Sequence, residues 1–524
     1  MNQIRNILFI MADQLRADYL ACTGHPYLET PHIDALARRG ILFNRAYCQG
    51  STCGSSRASF YTGRYVSSHG ATYNNFPLRV DERGMGDYLR PLGLRTAVVG
   101  KTHMEANNAE MSRLGIDPNS PQGQLIAQVG FEPYERDDGL HPDKFVSPNL
   151  RYNRYLCERG YDSPNPWHHY ANAAQGPDGE LLSGWYLRHA DQPARVREED
   201  SETPYMTSRA IDFMREAGTQ PWCLHLSYIK PHWPYIAPAP YHNLYTREQI
   251  LPANRSEPER NDPHPVVAAF MTHAEGQSFA DPQCRATVIP AYMGLIRQID
   301  DQLGRLFATM QQQGCLDHTL IVFSSDHGDY LGDHWLGEKE LFHDASVRLP
   351  MIIVDPTAAA DATRGTVSDA LVESIDLLPT FLDLLGGSIP EHILEGRSLR
   401  PLLHGETVSH WREAVFTEVD YAARPARRLL RLGPQQARGT MVCNKDWKYI
   451  EYSSFRPQLF NLRDDPAELI DLGADPAYAA VRADLREHLY DWAMSRKMRL
   501  GIDDARVEAR TGNAHKRGII FGAW

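Results

Sequence analysis

The chain opens with "MNQIRNILFIMADQ", residues 1–14, and the reading of this stretch decides the fold. Ile7–Met11 is an uninterrupted apolar run with no polar alternation. A strand of that kind is buried on both faces, the situation of a parallel sheet covered by helices. One cationic residue, Arg5, precedes the run and no small-residue cleavage site follows it, so the segment reads as a core strand rather than a signal peptide. It delivers Asp13 and Gln14 at its carboxyl end, where open α/β sheets collect their ligands.

Four further runs have the same character: Thr96–Val99, Trp222–Ile229, Leu320–Phe323 and Met351–Val354, all read as buried parallel strands. Between the third and fourth of the five, Ile296, Ile299, Leu303, Leu306 and Met310 recur at helical spacing until Gly314. Strands alternating with helices predict an α/β fold, a large mostly parallel sheet flanked by helices. Residues 105–203, rich in Asn, Pro, Gly, Asp and Tyr, read as long excursions over the sheet edge that wall a pocket. From Trp411 the pattern changes to short strands ("EAVFTEV", "GTMVCN", "WKYIEY", "PQLFNL") and a helix near 478–494. This predicts a catalytic α/β domain over 1–400 and a smaller C-terminal α+β unit over 401–524.

Composition sets outer limits. The 524 residues are 42% hydrophobic and 23% charged, with net charge −12, which argues against a generic nucleic-acid binder. No apolar run approaches the ~20 residues that span a bilayer, so no membrane partner is expected. Eight irregularly spaced Cys do not make a disulfide framework and point to a reduced, cytoplasmic setting. The apolar tail "HKRGIIFGAW", with Ile519, Ile520, Phe521 and Trp524, either packs on its own C-terminal unit or reaches a neighbouring subunit. A homo-oligomer, dimer or tetramer, is the expectation.

The strand ends collect the chemistry. Asp13 and Gln14, Lys101 and His103, Lys230 and His232, and Asp326 and His327 each follow a predicted strand. Asp13 alone suits a helix cap and His327 alone a core histidine; together at matching ends, two carboxylates, an amide and an imidazole suit a divalent cation. Oxygen donors favour calcium; the imidazole shifts the balance toward manganese or another transition metal. Lys101, Lys339, His103 and His232 add positive charge or protons for an anion. A sixth stretch, "CQGSTCGSSRASFYTGRYVSSHG" (48–70), reads as a polar loop entering a helix, or as a nucleophile, Cys53, with its own positioning group, Arg57.

Cys53-Gly54-Ser55-Ser56-Arg57 followed by Thr62-Gly63, with "ADQLRAD", "GKTHM", "KPHWPYIAP", "SSDHGDYLGDH", "ESIDLLPTFLDLLG" and "LFNLRDDPAELIDL", resembles the sulfatases of the alkaline-phosphatase superfamily, phosphonate monoester hydrolases included. The resemblance implies that a maturation enzyme converts Cys53 to formylglycine, whose hydrate attacks the ester. It implies that Arg57 orients this side chain, and that Asp13, Gln14, Asp326, His327 and the modified Cys53 hold one Ca2+ or Mn2+. Lys101, Lys339 and His232 would bind ester oxygens, with His232 or Lys339 protonating the leaving group. His103 would help break the sulfated hemiacetal, and Asn74 would touch substrate. Ser55 stands where the aerobic maturation motif carries Pro. Gln14 and His327 match the phosphonate hydrolases, whereas Lys101 and His103 match sulfatases. The resulting expectation is a metal-dependent sulfatase acting on a small-molecule sulfate monoester, arylsulfatase-like. A phosphonate monoester hydrolase or phosphodiesterase is the alternative, and a non-catalytic sulfatase-like binding protein a third. A phosphatase or mutase relative would want Ser or Thr at 53 and a second metal cluster.

Overall fold

The computed structural model describes residues 3–520 and 522. Its larger sheet is built from β1 (Asn6–Asp13), β2 (Ile41–Tyr47), β3 (Arg95–Gly100) and β4 (Glu132–Arg136). A short hairpin, β5 (Ala173–Gln175) and β6 (Leu181–Ser183), interrupts the series before β7 (Trp222–Pro231) and β8 (Thr319–Ser325). The series ends with β9 (Arg348–Leu349), β10 (Met351–Val354) and β11 (Thr366–Glu373). The spatial order is β11-β2-β10-β8-β1-β7-β3-β4, with β9 paired to β2.

β1 lies at the centre, parallel to β7 (Ile7 opposite Cys223) and to β8 (Ile7 opposite Leu320). Every residue of β1 is buried. Alternate side chains enter opposite cores, as the pleat requires. Ile7, Phe9 and Met11 join Phe60 and Tyr61 of the helix Cys53–Thr62 and Phe381 of the helix Leu377–Leu384. Leu8, Ile10 and Ala12 join Ile296, Ile299 and Leu303 of the helix Pro282–Gln312. The uninterrupted apolar run in the sequence thus records two cores meeting on one strand.

Two expectations are corrected. β10 runs antiparallel to both β8 and β2. A parallel return needs a long crossover, but only the short turns Asp333–Trp335 and Asp344–Val347 lie between β8 and β9. The chain therefore stays at the carboxyl end of β8 and re-enters the sheet backwards. The second correction concerns residues 105–203, which are not only excursions: β4 is a sheet strand, parallel to β3. Its sequence, Glu-Pro-Tyr-Glu-Arg, is that of an exposed edge, where Pro and charge are tolerated.

The C-terminal domain is a four-stranded antiparallel sheet, β12 (Val415–Asp420), β13 (Arg438–Cys443), β14 (Trp447–Tyr452) and β15 (Phe455–Asn461), in sequential order. One face packs on the helix Ala479–Met494 through Leu485 and Leu489; on the other, Met441, Ile450 and Phe460 join the core that holds Ile7, Phe9 and Met11. A fully buried Lys448 spans the junction: its Nζ reaches Asp344 Oδ1 at 2.7 Å, the Phe342 carbonyl at 3.0 Å, and Glu468. In the tail, Ile519 and Ile520 are exposed; Phe521 and Trp524 lie outside the described residues.

Removing one partner of a buried charge cluster leaves the others uncompensated. Lys448→Ala should therefore lower the apparent unfolding free energy by about 3 kcal/mol, read by urea unfolding with tryptophan fluorescence; an unchanged midpoint would show the junction to be unimportant.

Candidate active site

Six segments far apart in the chain meet beyond the carboxyl edge of the sheet. β1 supplies Asp13 and Gln14, β3 leads into Lys101 and His103, β7 into His232, and β8 into Asp326 and His327. The loop after β2 turns into the helix whose first residue is Cys53. Lys339 comes from the loop between β8 and β9.

Cys53 is at the hub. Its Sγ lies 3.1 Å from His327 Nε2, 3.7 Å from Lys101 Nζ and 3.9 Å from Asp13 Oδ1. The helix carrying it is buried over all its residues. Its start is tightly fitted: Asn74 Oδ1 accepts a hydrogen bond from the Gly54 N–H at 2.7 Å, and a Cβ on Gly54 would meet the Tyr73 carbonyl oxygen at 2.8 Å. Ser55 is in the first turn, and its hydroxyl lies 2.7 Å from that of Thr52. Ser56 Oγ donates to the Asp326 carbonyl. Ser56 thus ties the helix to the loop after β8, and Gly54 lets the 73–74 backbone lie against it. Asn74 braces the helix start.

Arg57, one turn on, is completely buried and bridges the two carboxylates. Its Nη2 donates to Asp13 Oδ2 at 2.9 Å and its Nε to Asp326 Oδ2 at 2.8 Å. Nη1 donates to the Lys101 carbonyl and to Ser227 Oγ, both at 2.7 Å. Arg57 makes no hydrogen bond to Cys53 among the described residues; it positions the carboxylates that surround it. Lys101 Nζ sits 2.8 Å from Asp13 Oδ2. Burial pushes the Asp13 carboxyl up, but Lys101, His232, Arg57 and His327 outweigh it and hold it well below the usual carboxylate range. The same balance runs the other way at Lys101: burial opposes its charge, Asp13 secures it, and its pKa is raised.

The donor set fits a divalent cation. Single donor atoms of Asp13, Cys53, Asp326 and His327 lie within 4.8 Å of one another. His327 donates through Nδ1 to the Gly328 carbonyl at 2.9 Å, which leaves the Nε2 lone pair aimed into the cluster. That fixed tautomer is how metal-ligating imidazoles are held. Gln14 sits in the left-handed region (φ 65°) and its N–H donates to Asp326 Oδ1 at 3.0 Å. Its side-chain amide donates to Asp329 and to Tyr235, which turns Oε1 toward Lys339 Nζ at 2.9 Å. Burial raises the Asp329 carboxyl.

Lys339 and His232 form a pair. Lys339 Nζ lies 3.3 Å from His232 Nε2, and His232 Nδ1 donates to the Trp233 carbonyl at 2.6 Å. Burial, then the charges of Lys101 and Lys339, depress His232 well below its ordinary pKa, so the ring is neutral and the lysine carries the proton. Glu338, 3.1 Å from Lys339 Nζ, is pushed up to about 6 by burial. His103, in the left-handed region (φ 55°), is held at its N–H by Asp138 Oδ1 at 2.9 Å, and its Nδ1 is buried without a hydrogen-bond partner among the described residues. Lys230 turns away: its Nζ donates to Asn172 Oδ1 and the Pro234 carbonyl.

The strand-end reading missed Ser227, Asp329, Tyr235 and Glu338. Asp329 and Glu338 lie in the motif-bearing stretch "DHGDYLGDHWLGEKE" but their spacing carries no distinguishing signal; Ser227 lies inside a buried strand.

The sulfatase family model, described as Sulfatase, matches residues 5–388, and one described as N-sulphoglucosamine sulphohydrolase, C-terminal, matches 332–495. The chain is 31% identical to the multifunctional alkaline phosphatase superfamily protein PehA of Trinickia caryophylli, covering 94% of this chain and 95% of the other. An arylsulfatase of Clostridium perfringens is 28% identical, covering 89% and 90%. Among solved structures, the phosphonate monoester hydrolase of Silicibacter pomeroyi superposes with a TM-score of 0.82 at 30% identity, covering 95% and 96% of the chains. The chain belongs to the sulfatase family.

Proposed function

We propose that the protein hydrolyses sulfate monoesters, with Cys53, matured to formylglycine, as the nucleophile. The observation that carries this reading is the position of Cys53 Sγ at a helix start among His327, Lys101 and Asp13, at 3.1, 3.7 and 3.9 Å. Asp13, Gln14, Asp326 and His327 would hold one divalent cation, Ca2+ or Mn2+, which draws negative charge from ester oxygens and favours deprotonation of a neighbouring hydroxyl. Formylglycine would supply a hydrated aldehyde with two hydroxyls, one to attack and one whose later loss of a proton expels the bound acid.

The remaining work falls to the chain's own side chains. Lys101 and Lys339 are buried ammonium groups that would offer point charges to the peripheral oxygens of a tetrahedral anion. His232 or Lys339, 3.3 Å apart, would protonate the departing alkoxide. His103 is close to Lys101 in the chain and takes the proton whose removal releases sulfate. Arg57 holds Asp13 and Asp326 in place through its Nη2 and Nε. Asn74 shapes the rim of the site.

A second reading, hydrolysis of phosphonate monoesters or phosphodiesters at the same site, is favoured by the identity to PehA and by the superposition on the phosphonate monoester hydrolase. Those esters carry one negative charge, as sulfate monoesters do. A non-catalytic role would leave Cys53 a thiol.

Protein from a host with a formylglycine-generating enzyme should show replacement of sulfur by an aldehyde oxygen in the Cys53 peptide by mass spectrometry, and Cys53→Ala should lose at least ~10³-fold in turnover. Full activity with an intact thiol would end the aldehyde mechanism. Asp326→Ala should lose the bound cation in elemental analysis; full occupancy would move the metal elsewhere. Parallel assays on an aryl sulfate and a phenyl phosphonate should favour the sulfate, and Lys101→Ala should reduce sulfate-ester turnover more than phosphodiester turnover. Dominant phosphonate activity would select the second reading.

A further inference from the structure

Away from the strand ends, the wall formed by residues 137–185 carries a second cluster of metal-binding side chains that the chemistry above does not use. One donor atom each from Asp143, His168 and His169 lies within 4.8 Å of the others. The two histidines are consecutive, and neighbours in an α-helix do not face the same way. Here they sit in a single π-helical turn, Trp167–Ala171, a feature that recurs at functional sites. Their rings are 5.3 Å apart at 33°, and both meet one carboxylate. His168 Nδ1 is 3.0 Å from Asp143 Oδ1, and His169 Nε2 is 3.2 Å from Oδ2. His169 Nε2 and Asp143 Oδ2 are at hydrogen-bond distance in the ion-free site, and donors bound ~2.0–2.2 Å from a common ion are separated by about 3.0–3.5 Å, so the same spacing accommodates a cation.

The hydrogen bonding supplies an independent sign. His168 Nε2 is engaged by Ser183 Oγ at 3.0 Å. Its Nδ1 is buried 3.0 Å from Asp143 Oδ1 without a well-formed hydrogen bond among the described residues. An unmade bond at such a place is unfavourable, and a cation bound by both atoms removes the conflict. Asp143 Oδ1 is further braced by Asn165 Nδ2 at 3.0 Å, the kind of outer contact that orients a ligating carboxylate. Arg195 donates to the His169 carbonyl at 2.8 Å and fixes the turn.

We propose that Asp143, His168 and His169 form a second cation site, selective for a transition metal of the zinc type. Two imidazoles and one carboxylate suit such an ion and give little to calcium or magnesium, which take oxygen ligands. Asp143 is 51% exposed, so an ion has access and water completes its coordination. The site would pin the loop carrying Asp143 to the turn carrying both histidines. From there ring contacts lead inward: His168 to Trp185 at 6.2 Å, Trp185 to Trp233 at 5.7 Å, and Trp233 to His232 at 4.5 Å. The ion would thus stiffen the wall that backs the Lys339–His232 pair.

The test is zinc binding by the full chain, stripped with chelator and followed by calorimetry and by elemental analysis after desalting. The wild type, first loaded with manganese to fill the strand-end centre, should still take up one zinc per chain, with a rise in melting temperature. His169→Gln and Asp143→Asn alter surface-accessible side chains; each should bind that zinc at least ~10-fold more weakly and lose the thermal shift, with an unchanged circular dichroism spectrum. Cys53→Ala should keep it. Zinc uptake equal in the wild type and both variants, or absent from the manganese-loaded wild type, overturns the proposal, whichever ester the enzyme is found to hydrolyse.

Discussion

Everything at the carboxyl edge of the sheet depends on one guanidinium. Arg57 is inaccessible to water and joins the carboxylates of two neighbouring strands, Asp13 of β1 and Asp326 of β8. A delocalised cation with forked donors can bind two carboxylates at once and offset their mutual repulsion. It also ties the helix of Cys53 to the sheet, since its other donors hold the Lys101 carbonyl and Ser227. A buried charge cluster of this kind is expensive to assemble and unforgiving when broken. Its stability benefit is doubtful on general grounds, and its value here lies in geometry: it fixes where negative charge stands before any substrate arrives.

Positive charge is arranged around that anchor in two tiers. Lys101 contacts Asp13 and so belongs to the anchor as much as to the anion site. Lys339 is held by Gln14 and Glu338 and faces His232. The first lysine is committed to a carboxylate, and the second stands against a neutral imidazole. The two lysines thus stand in different surroundings.

Much of this was readable in the residues. The apolar runs located β1, β3, β7 and β8 because strands buried on both faces have no polar alternation to hide them, and the residues after them led directly to Asp13, Lys101, His232 and Asp326. The same signal carries no direction, which is why β10 was placed parallel. β2 and β11 escaped notice because Asn44, Arg45, Ser368 and Asp369 break their apolar runs. Arg57 was legible as a partner of Cys53 but not as the bridge between two strands, since contacts across about 270 residues leave no local trace. Glu338 and Asp329 were hidden for another reason: buried acids look like surface acids in a sequence.

The register of β1 has a consequence in time. Its partners, β7 and β8, lie more than two hundred residues further along the chain, with Ala12 opposite Ser325. During synthesis at ~5–20 residues per second, β1 and the Cys53 segment must wait about 15–60 s before the strand that completes the central sheet has been made. In the finished protein Cys53 has no exposed surface at all. The thiol is therefore reachable by another protein only while the chain is still being built or has not yet closed. If Cys53 is matured as proposed above, the supply of active enzyme is set by a race between chain closure and oxidation, and mutations that hasten folding lower the active fraction without touching the site.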